Sequence, residues 1–141
     1  MLRNSAVYFA GAALFCLGYW LGRERTTEAF ANRVFELRTY TAVDGKLDAL
    51  NARFRNHTTS LFEKHGMQNI GYWSPVDAPL SQNTLIYVLA HKDRDAAKKS
   101  WDAFRADPDW KKAQSESEAN GKLVAKVESV YMQPTDYSKL K

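Results

Sequence analysis

Three residue sets in this 141-residue chain could do chemistry. The first is Arg38 with Tyr40, two apart on one segment, which could anchor an anion and donate a hydrogen bond beside it. The second is His57, three residues after Phe54, the only imidazole predicted to lie on an apolar helical stripe. A neutral-range imidazole aimed into a pocket would suit general acid–base work. The third is Tyr72, Trp73, Tyr87 and His91, aromatic and polar groups that could line a ligand cavity with Arg38. Each has a plainer reading. Tyr and Trp pack cross-strand pairs and interfaces, and His91 ends a segment where it could be solvated. His65 precedes Gly66 at a helix end, where the dipole favours a cation, and reads as structural.

Other chemistries lack their motifs. No His-x-x-x-His or Glu-x-x-His pair puts two ligands on one helix face, so no metal site is expected. Ser60, Ser100 and Ser115 sit in no nucleophile-elbow context. No Gly-rich phosphate loop is present, and no cofactor is expected. A single cysteine, Cys16, allows neither an internal disulfide nor a multi-thiolate cluster. The net charge of +4 is dispersed along the chain and does not form a nucleic-acid stripe.

The elements that must position these residues follow from periodicity. Arg33–Thr41 alternates as a strand, with Phe35, Leu37 and Thr39 on one side and Glu36, Arg38 and Tyr40 on the other. Asp44 is expected to cap an amphipathic helix over Lys46–His65, whose stripe is Leu47, Leu50, Phe54, Leu61 and Phe62. Strands follow at Met67–Ser74 and Asn83–His91. Asp93 opens a second helix, and Asp107-Pro108 opens a third. Leu123–Met132 is the last strand. The order β-α-β-β-α-β predicts an α+β, ferredoxin-like antiparallel sheet with its helices on one face. The other face is then bare. Its expected residues are Glu36, Arg38 and Tyr40 on the first strand, paired by charge with Lys126 and Glu128 on the last, and Val124, Val130 and Met132. That much apolar surface calls for a partner. A second copy packed sheet to sheet would make a dimeric α+β barrel.

The chain divides at its start. No residue from Asn4 to Gly22 is charged, and residues 5–21 are apolar all round. An N-terminal helix of that length spans about 30 Å, the thickness of a bilayer core. Residues 1–31 therefore read as a signal peptide, cut after Ala29-Phe30-Ala31, or as a signal anchor. Residues 32–141 form the working domain.

The combination Phe35-Glu36-Leu37-Arg38-Thr39-Tyr40-Thr41, Gly45-Lys46-Leu47-Asp48-Ala49-Leu50, Arg53-Phe54-Arg55-Asn56-His57-Thr58, Leu61-Phe62-Glu63-Lys64-His65-Gly66-Met67 and Gly71-Tyr72-Trp73 resembles the NIPSNAP family. So do Trp101–Trp110 and Lys126–Val130. The resemblance implies a ferredoxin-like domain that dimerises as an α+β barrel. It carries over no catalytic residues. A single domain behind an export-like segment resembles the bacterial type, either periplasmic or anchored in the inner membrane, rather than a mitochondrial one. Two functions are therefore expected to compete. One is a dimeric binding or scaffold module, tethered through residues 5–21 if they are retained. The other is a small oxygenase or isomerase, cofactor-free or haem-using, with His57 as base, Arg38 as anion anchor and Tyr40 as donor, acting on a small molecule.

Overall fold

The computed structural model of the protein describes residues 33–140. The apolar helix expected within residues 1–31 lies outside them. Among the described residues no helix is long and apolar enough to cross a membrane.

Four strands form one antiparallel sheet: β1 (Val34–Ala42), β2 (Gln68–Trp73), β3 (Thr84–His91) and β4 (Val124–Met132). Their order across the sheet is β2-β3-β1-β4. The helical run α1 joins β1 to β2 in three parts, Leu47–Arg53, a π-helical turn at Phe54–Thr58, and Thr59–Lys64. Between β3 and β4 lie α2 (Arg94–Ala106) and α3 (Pro108–Ser117). This is the expected α+β arrangement, with central strands β3 and β1 flanked by β2 and β4.

Helix boundaries follow local chemistry. Gly66, at φ 77°, takes the left-handed position that ends α1. Its amide donates to Glu63 O and that of Met67 to Phe62 O, satisfying the last carbonyls. Asp93 caps α2 by accepting from the Ala96 amide at 2.7 Å, as its position predicts. Asp107 does the same for α3, accepting from the Asp109 amide at 2.7 Å with Pro108 in the first turn. Asp44 does not cap α1; the residue at that position is Lys46, and no side chain bonds the helix end there.

The core lies between the sheet and the helices. Leu50, Phe54, Phe62, Leu85, Tyr87, Leu89, Trp101 and Phe104 are buried in it. Phe62 is its hub, stacked on Tyr87 and in edge contact with Trp101.

The register corrects the expected assignment of faces. Tyr40 packs edge-on to Phe54 of α1, and Arg38 lies over the Trp101 ring of α2 at 4.2 Å. Glu36, Arg38 and Tyr40 therefore face the helices. Val124, opposite Ala42, packs against the core instead of lying bare. The bare face carries Leu37 between Val88 and Val130, Phe35 between Ala90 and Met132, and Ile86 beside Trp73. Lys126 and Glu128 do lie on it, opposite Thr41 and Thr39, and they pair with each other at 2.9 Å. Strict alternation on β1 is compatible with either face. The polar set goes inward because donors from β3, β4 and α2 meet its carboxylate there.

Asp107 also joins two helices. Its carboxylate takes His65 Nε2 at 2.6 Å and Lys64 Nζ at 2.9 Å, tying the end of α1 to the start of α3. The bonds from Lys64 and His65 hold its pKa far below the usual carboxylate range. Asp107→Ala removes cap and bridge together, whereas Asp107→Asn keeps an acceptor for the Asp109 amide. In thermal unfolding followed by circular dichroism, the Ala variant is expected to melt a few degrees lower, with the Asn variant between it and wild type. Equal melting of all three would show that the bridge contributes nothing.

Candidate functional site

The polar centre of the helix–sheet interior is Glu36, 1% exposed. Four side chains from four elements donate to it. Arg38 Nη1 reaches Oε1 at 2.6 Å and Ser129 Oγ reaches the same oxygen at 2.7 Å. Trp101 Nε1 reaches Oε2 at 2.7 Å, and His91 Nε2 lies 3.0 Å from it. An ionised carboxylate only accepts, so the His91 proton facing it sits on Nε2. Burial alone would raise the Glu36 pKa, but the bonds from His91, Ser129, Trp101 and Arg38 overcome it and lower the value to about 2.

Arg38 spends both terminal nitrogens here, with Nη1 on Glu36 and Nη2 3.3 Å from Tyr40 Oη. Tyr40 continues the line into an aromatic group, with ring centroids 5.3 Å from Tyr87 and 5.7 Å from Phe54. Tyr87 is fully buried, and its hydroxyl has no hydrogen-bond partner of good geometry. Burial first, and the neighbouring Tyr40 second, push its pKa well above the ordinary phenol value. Tyr72 stacks on Tyr87 and donates its hydroxyl to Asn69.

The structure thus brings Arg38, Tyr40, Tyr72, Tyr87 and His91 to the helix side of the sheet. Trp73 lies apart, on the bare face. It is 53% exposed and lies over Gly71, where an added Cβ would meet the indole at 2.6 Å. His57 is also apart. It is exposed and borders a groove between α1 and α3 with Ala52, Asn56, Ala113 and Glu116. The reason is the π turn. Uninterrupted α-helical spacing would put His57 over the core with Leu50 and Phe54. The wider turn rotates each residue less about the axis, so Thr58 takes the inward place, 1% exposed. Thr58 Oγ1 donates to the Arg53 carbonyl at 3.3 Å. His57 therefore does not stand beside Arg38 and Tyr40, and Glu36 has its acceptor sites filled. Among the described residues no group of three or more His, Cys, Asp or Glu could hold a metal ion.

A cavity of about 320 Å3 lies between α1, α3 and β4, with Tyr40 in its wall. Phe54, Phe62, Phe104 and Trp110 supply further rings, and Arg53, Glu118 and Lys122 supply charge. Sequence reasoning did not find Arg53, Glu118, Ser129 or the central role of Glu36. Two signals pointed to the last: a carboxylate inside an otherwise buried strand, and a Trp at helical core spacing whose indole N–H needs an acceptor.

The family model described as NIPSNAP matches residues 35–139. The chain belongs to the NIPSNAP family. No curated protein matches this NIPSNAP chain. Solved structures do. A NIPSNAP-like domain protein from Burkholderia xenovorans has a TM-score of 0.66 at 16% identity, covering 77% of this chain and 90% of that one. A NIPSNAP family protein of unknown function from Agrobacterium tumefaciens has a TM-score of 0.68 at 21% identity, covering 79% and 96%. SnoaB, a cofactor-independent oxygenase from Streptomyces nogalater, has a TM-score of 0.53 at 14% identity, covering 77% and 99%. At such identities the likeness is one of fold. It places the NIPSNAP domain among α+β antiparallel-sheet proteins.

The Glu36 cluster should dominate stability. Its folded pKa is depressed, so its contribution is full above about pH 4.5 and is lost as pH falls through about 2. Glu36→Gln leaves Arg38 buried without a counter-charge and is expected to cost about 3 kcal/mol or more in urea unfolding at pH 7. Asp102→Asn, on the exposed surface of α2, should change little. Similar stability of both variants would remove Glu36 from this role.

Proposed function

We propose that this NIPSNAP domain is a dimeric scaffold or binding module whose two copies meet through their bare sheet faces. The support is the composition of that face. Leu37, Ile86 and Val88 cross its middle, and Val130, Trp73 and Met132 stay 56%, 53% and 37% exposed. Helices cover the opposite face, so a second sheet is the surface of matching shape and twist. Lys126 and Glu128 carry opposite charges on the same face, so a two-fold partner would bring each near its complement. Residues 5–21 are proposed to send the module out of the cytoplasm, either removed on export or kept as an inner-membrane anchor.

A catalytic role has less support. Arg38 and Tyr40 touch, but both Arg38 terminal nitrogens are occupied, and His57 stands on an exposed helix face. The geometry therefore favours holding a partner over transforming a substrate.

Sedimentation of the full-length chain in mild detergent tests the assembly. Wild type should run as a dimer at micromolar concentration. Leu37→Asp combined with Val130→Glu should run as a folded monomer, with affinity weakened at least about 100-fold. A monomeric wild type would end the pairing proposal. Mass spectrometry of the protein recovered from host membrane and periplasmic fractions tests the address. A chain starting at Asn32 in the periplasm, or an intact chain in the membrane, supports it. An intact chain in the cytosol opposes it.

A further inference from the structure

We infer that the cavity between α1, α3 and β4 is a binding site for a small planar aromatic acid. The site lies on the helix side of the sheet, so it does not depend on pairing through the other face. Three independent features point to a ligand of this class.

The first is the wall. Tyr40, Phe54, Phe62, Phe104 and Trp110 line the cavity. Phe104 and Trp110 lie 4.5 Å apart with planes only 34° from parallel, while Tyr40 and Phe54 meet edge to face. Such a frame offers both a ring face and ring edges to a flat guest. A volume of about 320 Å3 lies at the small end of ligand sites, suited to one or two fused rings.

The second is charge. Arg53 is 4% exposed and lies over the Trp110 ring at 5.2 Å. Its Nη1 is held by Glu118 at 2.9 Å and by Ser117 at 3.3 Å, but its buried Nε has no acceptor. A buried donor of this kind costs free energy unless something accepts from it. Lys122 also lines the cavity, so two cations face one carboxylate, Glu118. The site is short of negative charge, and a carboxylate on the guest supplies both the acceptor and the charge.

The third is the backbone. The π turn Phe54–Thr58 begins directly after Arg53 and turns Phe54 and Thr58 inward to the same cavity. Single π turns inside α-helices are frequent at functional sites. Here the turn places a ring, a hydroxyl and a guanidinium around one space, at the expense of regular helix.

Isothermal titration of the full-length chain in detergent, with protein-free micelles as blank, tests the inference using indole-3-carboxylate and its neutral isostere indole-3-carboxamide. The acid should bind with a dissociation constant below about 1 mM and at least about tenfold more tightly than the amide. Arg53→Met with Glu118→Met removes both partners of the buried pair, so neither charge is stranded. That double variant should keep cooperative unfolding and lose the preference for the acid. If it does not fold, Lys122→Glu carries the test and should weaken the acid but not the amide. Three results would overturn the inference: no heat from the acid up to about 10 mM, equal binding of acid and amide, or a preference that survives in whichever variant folds. Sedimentation of the same samples reports pairing separately, so failure of the cavity site and failure of the dimer are told apart.

Discussion

A carboxylate sealed between a sheet and a helix must be answered by donors, and Glu36 is answered by four. They come from β1, β3, β4 and α2. The cluster therefore acts as a register pin. A slip of one residue in β1 would turn Glu36 to the open face and leave Trp101, His91 and Ser129 without their acceptor. Hydrophobic burial alone tolerates alternative packings, whereas an unmatched buried charge does not.

The aromatic interior depends on that pin. Glu36 holds Arg38, Arg38 lies across Trp101 and reaches Tyr40, and Tyr40 forms the sheet-side wall of the cavity. A line of polar contacts thus runs from the middle of the sheet to the edge of the space beneath α3. At the far side Asp107 gathers Lys64 and His65, so the helices that roof the cavity are tied to each other as well as to the sheet. The two faces of the sheet are left with different work. The helix side carries the Glu36 polar cluster and most of the rings. The bare side is largely apolar, with Trp73 laid over Gly71 where no side chain would fit beneath it.

Much of the fold was legible in the residues. The strand alternation of β1, the caps at Asp93 and Asp107, the stop at Gly66 and the uninterrupted apolar run of β3 each rest on a local rule, and each element formed within a residue or two of its expected bounds. The NIPSNAP resemblance agreed with that order. The site was less legible. Arg38 and Tyr40 were rightly seen as neighbours, but on the wrong side of the sheet. His57 looked central because ideal helical spacing was assumed through a turn that is wider.

The division has a physical cause. Caps, turns and periodicity involve residues a few positions apart, so their energetics are written in the chain itself. That determined the element order, the antiparallel sheet and the existence of one bare face. Which set of β1 residues points inward is a long-range matter: period two is symmetric, and the choice rests on donors 55, 65 and 93 positions from Glu36. The π turn is likewise a feature that no local rule within Phe54–Thr58 announces. Tertiary structure alone decided that His57 faces solvent, that Arg38 is spent on Glu36, and that Arg53, paired with Glu118 but with its Nε unpartnered, borders an aromatic cavity.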